Sequence, residues 1–504
     1  MRTMKKNYLS LGLAAMSLLM AGCSTTNESG DLEALQTYNS NDVAKLALEG
    51  QKVPADSDKF EAFADNPFIK TADEPVSTFS VDADGASYAI VRRYLANDYD
   101  VEPACVRIEE FLNYFTFDYP SPKGDEKVAI NAEVGRCPWN EEHLLLRLGL
   151  KGRELTADES PRANFVFLVD VSGSMASNDK LDLLKRGLTE LLYQLNPDDR
   201  ISLITYSGEV QKLLESTPVR EASKIKKAIS QLSAEGYTNG GEALKMAYEE
   251  ALANYDPKCN NRIILGTDGD FNVGVTSTDA LVEMVESYAR KGIYMTCLGF
   301  GMGNLNDAMM EKISNTGNGT YHYIDCEDEM MKVFVHERNQ FVSVANDAKC
   351  QVTFNSDLIS EYRLIGYENR VMSNEDFEDD KKDAGEIGAG QTITALYEIV
   401  TKPEMWNKDA SNPPIVTFDC RYKKSLTDSS RPLKVQVLRE KIWGEPSTEF
   451  YFAAGIAAYG MMMRNSPHKG DATITMAKNL VKQGLSFDPH NYRANLLDMM
   501  ENYK

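Results

Sequence analysis

The sequence predicts an α/β protein: a doubly wound, mostly parallel sheet over residues 161–342, flanked by a β-sandwich-like region and followed by a C-terminal helical segment. Three observations predict this fold class. Short apolar, β-branched runs alternate with helical patterns in the middle of the chain, which is typical of a parallel sheet covered on both faces. Further strand patterns lie on both sides of that region. The chain then closes with helical patterns over residues 446–504.

The elements of the central region follow from its hydrophobic periodicity. Strands are predicted at residues 164–169, 200–206, 262–266, 293–299 and 320–323. Helices are predicted at residues 181–195, 222–232, 241–254, 279–291, 306–315 and 327–339. A further strand at residues 210–214 follows a Ser-Gly turn, so we expect it to pair antiparallel at an edge of the sheet.

The N-terminus is typical of a bacterial lipoprotein signal peptide. A basic segment precedes the apolar residues 8–20, and Ala21-Gly22 stand directly before Cys23. Removal of residues 1–22 would leave Cys23 as an acylated first residue, and Ser24 after it resembles the pattern of outer-membrane sorting. A cleaved secretory signal followed by an incidental cysteine is the alternative. The polar residues 23–70 are predicted to be a flexible tether. We therefore expect a cell-envelope protein held to the membrane by a lipid on Cys23.

The flanks of the central region are predicted to be β-rich. Strand patterns occur at residues 127–134, 143–150, 349–354, 392–401, 415–422 and 433–438. One β-sandwich built from both flanks, with the α/β domain inserted in it, and two separate small domains both fit this pattern. Residues 450–463 are apolar but too short to span a bilayer, which predicts a buried helix. The predicted domains are thus 71–160, helical then β; 161–342, α/β; 343–445, β-rich; and 446–504, helical.

Composition narrows the class of partner. The formal net charge of −22 argues against nucleic acid and against charge-driven binding to an anionic membrane surface. Besides Cys23 the chain has seven cysteines, without a C-x-x-C pair or a zinc pattern, and we expect most of them to be buried.

Three loops at the carboxyl ends of predicted strands carry oxygen ligands. The first presents Asp170, Ser172 and Ser174 in a D-x-S-x-S pattern, the second presents Thr238 among glycines, and the third presents Asp268 in a Thr-Asp-Gly triplet. Ligands of doubly wound folds bind at this edge of the sheet. Carboxylate and hydroxyl oxygens suit a hard cation such as Mg²⁺, which takes about six of them. The sequence therefore predicts a divalent-metal site.

The order and content of these loops resemble the metal-ion-dependent adhesion site of von Willebrand factor type A (VWA) domains. The resemblance implies direct metal binding by Ser172 and Ser174, direct or nearly direct binding by Thr238, and binding through water or by direct contact for Asp170 and Asp268. It also implies Mg²⁺, or Mn²⁺ or Ca²⁺, as cofactor and a protein partner that supplies an acidic side chain. The flanks resemble one bacterial lipoprotein family with dedicated N- and C-terminal regions, over residues 74–82, 86–89, 92–94, 106–115, 362–370 and 383–390.

Two other functions stay open from the sequence. A haloacid-dehalogenase-type phosphatase also has an Asp after its first strand, but it needs a second Asp two residues later as general acid, where this chain has Ser172. A scaffold of the envelope that works without a metal is the second alternative function. Asp268, Asp270, Asn272 and Asp279 have the 1-3-5-12 spacing of an EF-hand calcium loop. Val273 replaces the turn glycine and a predicted strand precedes the segment, so we prefer a metal-site Asp followed by a surface turn. We therefore expect a binding protein and not an enzyme.

Overall fold

The computed structural model describes residues 58–236, 241–269, 278–408 and 411–502. Its strands are β1 Ile69–Lys70, β2 Val76–Ser80, β3 Val128–Arg136, β4 His143–Gly152, β5 Ala163–Asp170, β6 Arg200–Tyr206, β7 Val210–Pro218, β8 Asn260–Thr267, β9 Ile293–Phe300, β10 Tyr321–Ile324, β11 Ser343–Phe354, β12 Ile359–Ile365, β13 Val371–Met372, β14 Gly385–Gly388, β15 Thr392–Thr401, β16 Pro414–Lys423 and β17 Arg431–Leu438. Its α-helices are α1 Ala86–Ala96, α2 Ile108–Asn113, α3 Leu181–Gln194, α4 Ala222–Ser230, α5 Gly241–Ala253, α6 Thr278–Ala289, α7 Asp307–Thr316, α8 Glu327–Met331, α9 Thr448–Met463, α10 Ile474–Gln483 and α11 Tyr492–Asn502.

The central sheet has the predicted doubly wound architecture. Its strand order is β10-β9-β8-β5-β6-β7, and all neighbours are parallel except β7, which pairs antiparallel with β6 at the edge. Alternate residues of β5 face opposite sides: Phe165 and Phe167 pack in the core that contains α3 and α4, whereas Val166 and Leu168 pack in the core that contains α5 to α7. Because helices cover both faces, β5 is an unbroken apolar run.

Strands from both flanks form one β-sandwich. One sheet has the order β1-β12-β15-β4-β3, and the other has the order β13-β2-β11-β16-β17 with β14 also on β11. Leucines of β4 share a core with Phe79 of β2 and Val352 of β11. Each sheet thus combines strands that precede the α/β domain with strands that follow it. Of the two arrangements left open by the sequence, this is the sandwich with an inserted α/β domain.

The last helix of the α/β domain differs from the prediction of one helix over residues 327–339. The α-helix ends at Met331 and continues as a π-helical turn, Lys332–His336, and a 3₁₀ turn, Arg338–Phe341. In the π-helical turn the Glu337 amide donates to the Lys332 carbonyl at 2.8 Å. The turn lets Phe334 pack against Gly187 of α3, where an added Cβ would lie 2.6 Å from the ring. The packing of Phe334 against α3 therefore accounts for the backbone conformation of residues 332–336.

The C-terminal helices pack on the body. As predicted, residues 450–463 form a buried helix: most side chains of α9 are inaccessible. Within the described ranges, none of the helices has both the length and the apolar composition needed to cross a membrane. The cysteines of the described part are free, and five of the seven are buried, which confirms the expectation that most would be.

Candidate metal centre

The predicted ligands that the structure describes lie at one edge of the central sheet. Asp170 is the last residue of β5, and β8 runs parallel beside it with Val169 opposite Gly266. Asp268 follows directly after β8. Since both strands end at the same level, the D-x-S-x-S loop and the Thr-Asp-Gly triplet leave the sheet side by side, as the sequence predicts.

The carboxylate of Asp170 is buried and held by donors on both oxygens. The Ser172 amide donates to Oδ1 at 2.9 Å, and the Thr267 hydroxyl donates to Oδ2 at 3.0 Å. Burial raises the pKa of Asp170 to about 6; the Ser172 hydrogen bonds oppose this increase, and the neighbouring Asp268 carboxylate adds to it. A cation next to Asp170 would favour its ionised form.

The hydroxyls of the same loop lie next to each other. The Oγ atoms of Ser172 and Ser174 are 2.9 Å apart. Ser172 is buried and Ser174 is exposed, so the pair reaches from the sheet edge to the surface. These two neutral oxygen atoms add no negative charge to that of Asp170.

The carboxylate of Asp268 is buried and only partly hydrogen-bonded within the described residues. Its side chain is 0% exposed; Lys180 Nζ donates to Oδ2 at 2.9 Å, and within the described residues Oδ1 has no hydrogen-bond partner. A buried carboxylate oxygen without a partner costs free energy. Gly269 follows with φ +96°, and a Cβ there would lie 2.5 Å from the Asn306 amide nitrogen, so the triplet requires this glycine.

Thr238 and Cys23 lie outside the described residues, as does most of the EF-hand-like segment. The segment that ends at Gly236, just before Thr238, is hydrogen-bonded to the Asp170 loop. The Glu235 amide donates to the Val171 carbonyl at 2.7 Å, and the Gly236 carbonyl accepts from the Gly173 amide at 3.1 Å. The second loop therefore runs against the first up to Gly236.

The donor set fits a hard divalent cation. Two buried carboxylates, one of them with an unpartnered oxygen, and two adjacent hydroxyls are oxygen ligands of the kind that Mg²⁺ takes. Lys180 is the residue of this site that sequence reasoning missed. It stands at the N-cap position of α3, and its side chain is 11% exposed. The signal in the sequence was its position shortly after the Asp170 loop, at the start of the predicted helix.

Comparison with known proteins agrees with this architecture. The model of the von Willebrand factor type A domain matches residues 164–335, a model described as von Willebrand factor matches residues 54–147, and one described as the C-terminal part of uncharacterised protein YfbK matches residues 339–504. The fold and these matches define a protein built around a VWA domain. Uncharacterised protein YfbK of Escherichia coli K12 is 35% identical over 468 residues, which cover 88% of this chain and 80% of that protein. The chain belongs to the YfbK family.

Other proteins are more distantly similar. Mouse inter-alpha-trypsin inhibitor heavy chain 4 is 30% identical over 228 residues, or 42% of this chain and 23% of that protein. Among solved structures, von Willebrand factor type A from Catenulispora acidiphila is 13% identical with a TM-score of 0.46, covering 74% of this chain and 89% of that one. VWA domains commonly bind a divalent metal, and the presence of one indicates a role in protein–protein interaction or as a scaffold.

Proposed function

We propose that this protein is a lipid-anchored cell-envelope protein whose VWA domain holds Mg²⁺, or Mn²⁺ or Ca²⁺, and uses it to bind an acidic side chain of a protein partner. The observation that carries the proposal is the meeting of Asp170, Ser172, Ser174 and Asp268 at one edge of the sheet, with a buried Asp268 oxygen that lacks a hydrogen-bond partner among the described residues.

The residues of the site have distinct parts in this function. Ser172 and Ser174 would contribute neutral hydroxyls, with Thr238 as a third, while Asp170 and Asp268 would contribute the negative charge. When bound, the metal would supply an electrophilic coordination position that a partner's carboxylate fills. The hydrogen bonds of Ser172 and Thr267 to Asp170 fix that carboxylate beforehand, which reduces the ordering cost of binding.

Binding is favoured over hydrolysis. The phosphatase alternative needs a general acid at the position of Ser172, and a serine hydroxyl does not transfer its proton near neutral pH. The Ser172 Oγ atom instead lies within hydrogen-bond distance of Ser174. The metal-independent scaffold predicts unchanged partner binding when the ligands are removed.

Affinity capture from detergent-solubilised envelopes tests the proposal. Wild-type protein, Asp170→Ala and the exposed control Asp182→Ala would each be compared in Mg²⁺ and in EDTA. We expect one set of partners to be retained by wild type and Asp182→Ala in Mg²⁺ only, and to be absent with Asp170→Ala. Partners that bind equally under all conditions would refute metal-bridged binding and favour the scaffold.

The anchor is tested separately. Metabolic labelling with an alkyne fatty acid should mark the wild-type protein, and the label should be absent from Cys23→Ser. Separation of inner and outer membranes should then place the labelled protein in the outer membrane. Labelling of Cys23→Ser at the wild-type level would contradict acylation at that residue.

A further inference from the structure

A buried lysine and a buried aspartate meet between two strands of the β-sandwich. Lys423 is the last residue of β16, and Asp347 lies on the neighbouring strand β11. Lys423 Nζ donates to Asp347 Oδ2 at 2.5 Å, and each of the two side chains is 8% exposed. Another lysine–aspartate pair of the same sheet, Lys434 with Asp419, is open to solvent, since that lysine is 60% exposed. The pair of Lys423 and Asp347 is therefore the one that is shielded from water.

An irregularity of β11 directs the Asp347 carboxylate to this lysine. The register between β11 and β16 shifts between Asn346 and Lys349, and Asp347 lies inside the shifted stretch with φ +49°. Bulges of this kind re-aim a side chain, and a positive φ in a residue other than glycine persists where the surrounding contacts fix it. Lys423 is fixed as well, because its Nζ also donates to the Asp380 carbonyl at 2.6 Å. Both groups are thus held in place before any reaction.

The other side of the Asp347 carboxyl group faces a second acid and a backbone amide. The Ala384 amide lies 3.4 Å from Asp347 Oδ1. Partial burial raises the pKa of the adjacent Asp383 to about 6, and the Asp347 carboxylate and its hydrogen bond with Asp383 add to the increase. Asp383 can therefore hold a proton next to Asp347. It also lines a cavity of about 400 Å³, through which a water molecule can leave.

Burial makes a covalent bond between the two groups favourable. An ion pair out of contact with water loses much hydration free energy, which its internal attraction need not recover. Condensation to an amide removes both charges and leaves one neutral group. The ammonium of Lys423 and the carboxylate of Asp347 are the two halves of such an amide, already at hydrogen-bond distance.

We propose that Lys423 and Asp347 condense to an intramolecular isopeptide bond that joins β16 to β11. The ammonium first transfers one proton to the carboxylate, which leaves a neutral amine facing a neutral carboxyl group. The amine nitrogen then attacks Asp347 Cγ, so that a C–N bond forms and a C–O bond breaks. Asp383 gives its proton to the departing oxygen, which leaves as water, and takes one proton back from the nitrogen. Ammonium and carboxylate thus become amide and water, and nothing is oxidised or reduced.

The geometry suits each part of this reaction. Reacting atoms in a near-attack arrangement lie about 3–3.5 Å apart, and an amine hydrogen-bonded to one carboxyl oxygen is close to that distance from the carboxyl carbon. The Ala384 amide is placed to stabilise the negative charge that develops on Asp347 Oδ1.

The bond would change how the sandwich withstands unfolding. Strand β11 directly follows the α/β domain, and β16 lies beside it in the sheet. A covalent link between them closes a loop over residues 348–422 and restricts the unfolded chain. The two strands could then no longer separate when the α/β domain is pulled.

Tryptic digestion of the denatured full chain, followed by mass spectrometry, tests this proposal on the wild-type protein itself. Trypsin cannot cleave after an acylated lysine, so the bond predicts one branched peptide that joins residues 339–349 to residues 422–424. Its mass should be lower than the sum of the two linear peptides by one water. Recovery of the two regions only as unlinked peptides would overturn the proposal, and so would a loss of water located at any other pair of residues.

Variants separate the covalent bond from a simple ion pair. Lys423→Arg keeps the positive charge but cannot form the amide, and Lys434→Arg is the matched control on β17. In boiled SDS samples we expect wild type and Lys434→Arg to migrate faster than Lys423→Arg, because an internal link keeps the denatured chain more compact. Equal migration of wild type and Lys423→Arg would contradict the bond.

The part played by Asp383 has its own readout. Asp383→Asn cannot relay the proton, so in pulse-labelled protein the branched peptide should form at least about a hundredfold more slowly than in wild type. Formation at the wild-type rate in Asp383→Asn would show that this carboxyl group does not act in the reaction.

Discussion

At the scale of single residues, Lys180 is the cation that contacts the proposed metal ligands. Its ammonium lies 2.9 Å from a buried Asp268 oxygen, in a place where it neutralises a carboxylate that the metal would also use. Gly301 leaves room for the lysine stem, because a Cβ there would lie 2.0 Å from Lys180 Cε. Lys180 and the proposed metal would therefore compete for the same negative charge.

Replacement of Lys180 by methionine should strengthen metal binding and weaken the metal-free protein. Loss of one positive charge next to Asp268 should raise Mg²⁺ affinity by about tenfold, equivalent to ~1.4 kcal/mol. In EDTA the unpaired Asp268 should lower the melting temperature. Calorimetry and thermal melting check both effects, with Lys185→Met as a control on the same helix. Unchanged Mg²⁺ affinity in Lys180→Met would show that the two cations do not compete.

The lowered pKa of His322 predicts that the free energy of unfolding decreases in acid. Burial, with smaller effects of Lys332 and Arg262, lowers the pKa of His322 to about 3. The unfolded chain binds a proton near pH 6.5, whereas the native chain does not, so the stability that neutral His322 provides is present above pH 6.5 and is lost as the pH falls towards 3. Between pH 7 and pH 5 the loss should be at most about 2 kcal/mol.

His322→Gln should reduce this loss in urea unfolding at the two pH values. A residual dependence is expected, because burial also lowers the pKa of His336 and His468. Equal pH dependence in wild type and His322→Gln would rule out the proposed contribution.

At the scale of elements, the sequence correctly predicts those helices and strands whose type depends only on the periodicity of apolar residues. The apolar run of β5, the edge strand after the Ser-Gly turn and the buried helix α9 are all predicted from patterns of apolar residues. The break after Met331 is not, because nothing in residues 327–339 opposes an α-helix. Its cause is the fit of Phe334 against Gly187, a contact across 147 positions that no local pattern reveals.

That contact predicts an unusual response to Gly187→Ala. Alanine normally stabilises a helix interior relative to glycine by up to about 1 kcal/mol. Here the new methyl would lie 2.6 Å from the Phe334 ring, so overpacking should make the net effect destabilising by about 1–3 kcal/mol. Urea unfolding checks the change, and the exposed Arg186→Ala on α3 serves as control. Stabilisation by Gly187→Ala would mean that the ring moves aside freely.

At the scale of the whole molecule, the sequence left the relation between the flanks undecided. Strand patterns predict how long each strand is, but pairing between β4 and β15, nearly 250 residues apart, depends on which edges meet once the α/β domain has folded. The convergence of the proposed ligands at one sheet edge is better predicted, because their loops directly follow neighbouring strands. Asp170, Ser172, Ser174 and Asp268 converge through neighbouring parallel strands, whereas Lys180 owes its role to a tertiary contact with Asp268.

The interlocked topology predicts that the α/β domain and the sandwich unfold together. Arg107 connects the helical N-terminal region that precedes β3 to the α/β domain. Arg107 is buried and joins Glu110 of α2 to Asp307 of α7. Arg107→Met would leave these carboxylates buried and unpaired, so it should cost about 3–5 kcal/mol. Arg220→Met, which breaks an exposed pair with Asp198, should cost no more than about 1 kcal/mol.

The chain offers separate probes for the two parts. All three tryptophans, Trp139, Trp406 and Trp443, lie outside residues 161–342, so their fluorescence reports the sandwich and its surroundings. Circular dichroism at the helical minimum reports mainly the α/β domain and the C-terminal helices. In wild type the two urea transitions should coincide. In Arg107→Met both midpoints should fall, and they should separate if Arg107 transmits the coupling. A variant whose two transitions remain at the wild-type midpoint would show that strand pairing alone unites the two parts.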